Sequence, residues 1–191
     1  MFDLAQALLP PTAVPDGWQE ASLGIAPAEA RPCGERLALL TQARQTEKVS
    51  FEGGRTGPFL THLVARYGGG DAAGAMAATR ALLERCREWT QDYDGRELTF
   101  RVAPLSLPAV GDEMLAVRLT VDGIAGGAGV IGGLFGDLLT ARSQVVFVRR
   151  GDAAFLLAHS DAGFGSPDVD QALTEQFVRQ ADVRLQAALG R

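Results

Sequence analysis

Residues 71–89, DAAGAMAATRALLERCREW, decide how this chain folds. Ala72, Ala75, Met76, Thr79, Leu82, Leu83, Cys86 and Trp89 recur at helical spacing and make one apolar stripe. Arg80, Glu84, Arg87 and Glu88 fall on the other side. Asp71, arriving after Gly68-Gly69-Gly70, suits an N-cap, so the spacing predicts a helix over 72–89.

On both sides of this helix the period drops to two. Before it, Val49 and Phe51 alternate with polar neighbours, Gly53-Gly54 marks a hairpin turn, and 59–67 returns as a strand. Pro58 places that hairpin at a sheet edge. After it, strands are predicted at Glu97–Ala103, Met114–Val121, Gln144–Arg149 and Ala153–His159. Arg150-Gly151-Asp152 joins the last two as a tight turn, which is a better account of the tripeptide than cell adhesion. Ser166 and Pro167 open a final helix with Leu173, Phe177, Ala181, Leu185 and Ala188 inward. Two short helices precede the first hairpin, over 2–9, stopped by Pro10 and Pro11, and over 34–44. Hairpin-linked strands followed by helices predict an α+β fold, a twisted antiparallel sheet with helices packed on one face. The length of 191 residues fits one domain over 1–191, with 1–17 as an N-terminal arm.

Composition narrows the function. A net charge of −5 argues against nucleic-acid binding, which needs a dominant positive field. Lys48 is the only lysine, so nearly all positive charge is arginine, whose planar fork suits carboxylates and phosphates. No run of ~20 apolar residues offers a membrane span. The segment 2–9 carries Asp3 and no basic start, so it is not a signal peptide, and by itself it predicts a cytoplasmic chain.

No catalytic constellation emerges, and neither a cofactor nor a metal is expected. His62 and His159 both fall in strands, and consecutive His159-Ser160-Asp161 cannot converge as a triad. Cys33 and Cys86 lack metal-ligand spacing. They form either a disulfide or two unpaired thiols, with Cys86 as a small core residue. The uncharged stretch 123–136, rich in glycine with Ile124, Val130, Ile131, Leu134 and Phe135, is either a plain loop or an apolar lip for a hydrophobic ligand, membrane or partner.

Strand parity suggests a binding face. With Leu98, Phe100 and Val102 directed at the helices, Arg101 points away, and Arg118 does so beside Leu115, Val117 and Leu119. His62 and Arg66 share one face of their strand, and Arg149 ends another. These five residues, His62, Arg66, Arg101, Arg118 and Arg149, are either a solvated face with local ion pairs or a shallow site for a phosphate or carboxylate.

Several of these segments resemble a known family. They are Cys86-x-x-Trp89, Val102-x-Pro104, Gly111-Asp112-Glu113 before an alternating strand, and Val146-x-Val148-Arg149-x-Gly151-Asp152 at a hairpin. Together with Val14-Pro15-x-Gly17-Trp18 they resemble the extracytoplasmic sensor domain of actinobacterial serine/threonine kinases (PknH-like) and related envelope lipoproteins, over roughly 2–189. The resemblance implies a non-enzymatic, extracytoplasmic sensor or ligand-binding domain of the bacterial cell envelope. It implies a groove for an unidentified ligand, which the arginine face and the 123–136 stretch would make anionic or amphiphilic, and it favours the Cys33–Cys86 bond. Two cysteines are too few for the family's two bridges, and any membrane tether would lie in a segment absent from this chain. The alternative is a structural or adaptor protein acting through a protein interface.

Overall fold

A computed structural model describes residues 3–21, 30–54, 57–93, 96–125, 138–164 and 167–190. Among them, eight strands form one open antiparallel sheet in the order β1-β2-β3-β8-β7-β6-β5-β4. β1 (Gln19–Glu20), β2 (Gln45–Glu52) and β3 (Phe59–Arg66) make one block. β4 (Glu88–Tyr93), β5 (Arg96–Pro104), β6 (Glu113–Ala125), β7 (Leu138–Arg150) and β8 (Ala153–Phe164) make a meander. The blocks join where β3 pairs with β8, Leu60 opposite His159 and Arg66 opposite Ala153. The helices are α1 (Leu4–Ala7), α2 (Ala38–Thr41), α3 (Asp71–Arg85) and α4 (Gln171–Ala188). The architecture is α+β with an antiparallel sheet, as the sequence predicts.

The helices, however, cover both faces of the sheet. β7 shows why: Val145 and Phe147 join the core under α2 and α3, whereas Val146 and Val148 join the core under α1 and α4. On β8, Ala154, Leu156 and Ala158 face α3, and Phe155 and Leu157 face α4. These central strands are apolar on both sides, so neither face can be left to water. Alternation survives toward the two edges of the sheet, in β2, where Val49 and Phe51 are inward between Lys48, Ser50 and Glu52, and toward β5, where Leu98 and Phe100 are inward beside Thr99 and Arg101.

α3 buries the predicted stripe from Ala72 to Leu83. It stops at Arg85 rather than running to Trp89. Cys86 leaves the helix with φ −120° and ψ 84°, its amide still bonded to Leu82 O. Glu88–Tyr93 then pairs with β5 as an edge strand, and Trp89 stacks on Phe100 at 5.0 Å. A three-residue spacing fits a helical stripe and a turn into a strand equally well; the open hydrogen bonds of β5 decide for the strand. The second predicted helix shrinks to α2, which is docked by Leu39 N donating to Thr79 Oγ1 (3.2 Å) and by Tyr67 Oη donating to Leu39 O. α4 begins at Gln171, where the Asp170 side chain caps Leu173 N, and not at Pro167.

Residues 3–14 pack beneath α4. Leu4, Ala7 and Leu9 are buried, and Arg184 of α4 donates to the carbonyls of Leu8 (2.5 Å) and Gln6 (2.7 Å). Cys33 and Cys86 are bonded, which fastens the turn at 32–34 to the end of α3.

Candidate functional site: an arginine-lined groove

Strand register assembles the site. Arg101 on β5 lies opposite Glu88 on β4 and Thr120 on β6, Thr120 opposite Arg142 on β7, and Arg142 opposite Asp161 on β8. The next row on the same face runs Ala103, Arg118, Gln144 and His159. Their sequence neighbours Phe100, Leu119, Ala141 and Val145 belong to the core under α3, so both rows face the α4 side. α4 starts beside Arg118 and packs across β7 and β8. The α4-side face of the outer strands is thus left as a groove of about 1130 Å³, walled on one side by 168–172.

Charges in the groove are partly paired. Arg101 bonds Glu88 at 3.1 Å and also Asp122, and the hydrogen bonds it donates to Asp122 and then to Glu88 raise its pKa, so it stays charged. Asp122 is held in turn by the Thr140 hydroxyl at 3.0 Å. Arg118 has no carboxylate partner among the described residues; its Nη2 donates to Gln171 Oε1 at 3.4 Å. Gln144 is 5% exposed. Its amide nitrogen donates to Val169 O at 2.9 Å, and its carbonyl oxygen has no partner among the described residues.

The five residues that parity selected are therefore divided. Arg101 and Arg118 share the groove. Arg149 lies on the opposite face: its parity matches Val145 and Phe147, and it binds Glu113 (3.3 Å) and Asp112 (3.6 Å). Glu113 also holds Arg80 of α3 at 2.9 Å, so Arg149 is part of an ion-pair network tying α3 to the sheet. Arg66 lines a separate hollow of about 460 Å³ with Arg44 and Asp152. His62 is in the core, accepting the Leu9 amide on Nδ1 at 3.1 Å and meeting Phe155 edge-on. Burial, and then Arg184, lower its pKa to about 3.

His159 ends the second row under α4 instead of in the groove. Its Nδ1 bonds Thr174 Oγ1 at 2.8 Å, and Trp18 and Phe177 pack on the ring. Burial lowers its pKa to about 4, with Asp170 opposing. Both histidines are buried and neutral near pH 7, with a ring nitrogen already engaged.

Sequence reasoning missed Arg142, Gln144 and the wall at 168–172. β7 starts six residues before the predicted Gln144, and extending its alternation back through Arg142 and Thr140 would have found the first. The wall depends on where α4 docks, which no local signal carries. The apolar lip proposed for 123–136 lies outside the described residues from 126 onward.

The fold is shared with an extracellular domain. The crystal structure of the extracellular domain of PknH from Mycobacterium tuberculosis matches with a TM-score of 0.59, covering 98% of this chain and 95% of that one at 11% identity. The likeness is one of fold, which by itself assigns no ligand. No family model matches the sequence, and no curated protein matches it.

Proposed function

We propose that the chain is a non-enzymatic, extracytoplasmic sensor or ligand-binding domain of the bacterial cell envelope, acting as one domain over 1–191. The observation that carries this reading is the groove, in which Arg101, Arg118 and Arg142 converge from three adjacent strands. Its size is at the upper end of ligand pockets, which run to ~1,000 Å³. The Cys33–Cys86 bond supports an oxidising compartment. The fold shared with an extracellular domain supports the same location. A ligand bearing a phosphate or carboxylate would sit against Arg118, with an apolar portion, if present, against Val169 and Ala172. The neutral, core-packed histidines favour binding over acid–base chemistry.

Native mass spectrometry of the purified protein, before and after incubation with a fractionated envelope extract, tests this. A discrete added mass on wild type that is lost with the double variant Arg101→Met/Arg118→Met is expected. Unchanged binding by that variant would remove the groove as the site.

A further inference from the structure

We propose that residues 3–14 form an acid-released strap, with the neutral ring of His62 as the latch that holds it against the sheet. This goes beyond the ligand groove and does not rest on it.

The strap is fastened from two sides. Its Leu9 amide donates to His62 Nδ1 at 3.1 Å, and its Gln6 and Leu8 carbonyls accept from Arg184 of α4. A ring nitrogen that accepts a hydrogen bond carries no proton, so the closed strap needs a neutral ring with its proton on Nε2. His62 is fully buried, and Nε2 has no partner among the described residues. Protonation would set an N–H on Nδ1 against the Leu9 N–H. It would also leave a buried cation with no acceptor on either nitrogen.

The elements packed around the ring offer no compensating charge. Arg184 on α4 is itself a cation. Asp182 on α4 is bound by Arg150, and Asp3 in the strap caps the Ala5 amide. β2 and β8 place Val49 and Leu157 opposite His62, while Glu47 of β2 is exposed. His159 lies one row along β8, opposite Leu60. That second histidine is built differently. Thr174 Oγ1 donates to Asp170 O at 3.0 Å, so it accepts from His159 Nδ1, and a further proton on that ring leaves the bond intact. Of the two histidines, His62 is the one whose protonation breaks the contact holding a segment in place.

The direction follows from proton linkage. Burial, and secondarily Arg184, lower the pKa of the closed ring to about 3, whereas a solvated imidazole titrates at about 6.5. The open strap therefore binds more protons, and between pH 7 and pH 5 its population should rise up to ~25-fold. Opening severs the bonds to His62 and Arg184 and uncovers Leu4, Ala7 and Leu9. That is far less than unfolding the sheet, so the strap opens before the fold does.

Amide hydrogen exchange of the whole chain, followed by NMR from pH 7 to pH 5 and corrected for intrinsic rate, tests this. Protection of the Leu8 and Leu9 amides should stay below that of α3 at every pH and fall by ~25-fold across the range. His159→Gln should leave that fall unchanged. His62→Gln, whose side-chain carbonyl can accept the Leu9 amide and does not titrate, should hold protection constant. Constant Leu8 and Leu9 protection in wild type would overturn the inference, as would protection equal to that of α3 throughout. A shallower fall in His159→Gln would also overturn it, because the strap would then open only with the whole fold. These outcomes decide the matter even where His62→Gln does not fold; where it folds, an undiminished fall in that variant would remove His62 as the latch.

Discussion

The buried histidines give the sharpest residue-scale consequence. In the folded chain His62 and His159 titrate at about 3 and about 4, mainly because burial penalises the imidazolium. In the unfolded chain both return to about 6.5. The unfolded state therefore binds more protons between about pH 6.5 and pH 4, so stability is full above that window and is lost as pH falls through it. Each histidine contributes a loss of up to about 1.4 kcal/mol per pH unit there. Urea unfolding at pH 7, 5.5 and 4.5 should show the midpoint falling, with a shallower fall for His159→Gln. A midpoint that does not move from pH 7 to 4.5 would contradict the buried, neutral assignment. Gly111 is the other position where a single residue decides geometry. It has φ +70°, and a Cβ there would lie 2.4 Å from Val148 Cγ1 and 2.8 Å from Arg149 O. Val148 is fully buried and the second contact is backbone, so neither yields. Gly111→Ala should cost about 1–3 kcal/mol through overpacking, in addition to strain of about 1–2 kcal/mol for the left-handed backbone. Gly34→Ala, at φ +84° with nothing within 4 Å, should show the strain alone in the same urea experiment.

At the scale of elements, the disulfide and α4 determine how the two blocks of sheet are held. Cys33–Cys86 spans 53 residues of sequence and encloses α2, β2, β3 and α3. In the chain-entropy model a closure of that length stabilises the fold by ~4 kcal/mol. The variant Cys33→Ser/Cys86→Ser should lose a comparable amount in urea unfolding, and wild type with reductant should approach it. A loss below ~1 kcal/mol would mean that packing of α3 already confines the loop. α4 is fixed at both ends by different means. Thr174 meets His159 near its start, and Asp182, toward its end, accepts from Nε and Nη2 of Arg150, each at 2.7 Å. That clamp keeps the first turn of α4 beside Arg118, so the groove wall depends on contacts some distance from the groove. α3 was legible because its apolar stripe is long. Its end was not, because Trp89 keeps an inward direction whether the chain continues as helix or turns into β4.

For the molecule as a whole, the pairing of β3 with β8 is the decisive event. It sets an N-terminal hairpin against the last strand and leaves β4 and β1 as the two edges. It also puts β3, β8 and β7 in the centre, where both faces must be covered. α1 and α4 take one face, α2 and α3 the other, and on the α4 side the described residues leave the polar face of the outer strands as the groove. The arginine pattern was half legible for the same reason. Arg101 and Arg118 follow from parity within their own strands, whereas Arg149 and Arg142 required the true extent of β7 and a knowledge of which face each core occupies. One residue of register exchanges those two arginines between faces.

The sequence by itself determined the alternation of strands, the apolar stripe of α3, the hairpin at Arg150-Gly151-Asp152 and the α+β class. All of these arise from periodicity and turn chemistry within a few residues of each other, where backbone geometry alone sets which side chains share a face. Only the tertiary structure decided that helices cover both faces, that Cys33 reaches Cys86, that His62 and His159 are core residues, and that Arg101, Arg118 and Arg142 meet beside α4. Those depend on contacts between segments far apart in the chain, and the free energy that selects them is burial shared among several elements at once.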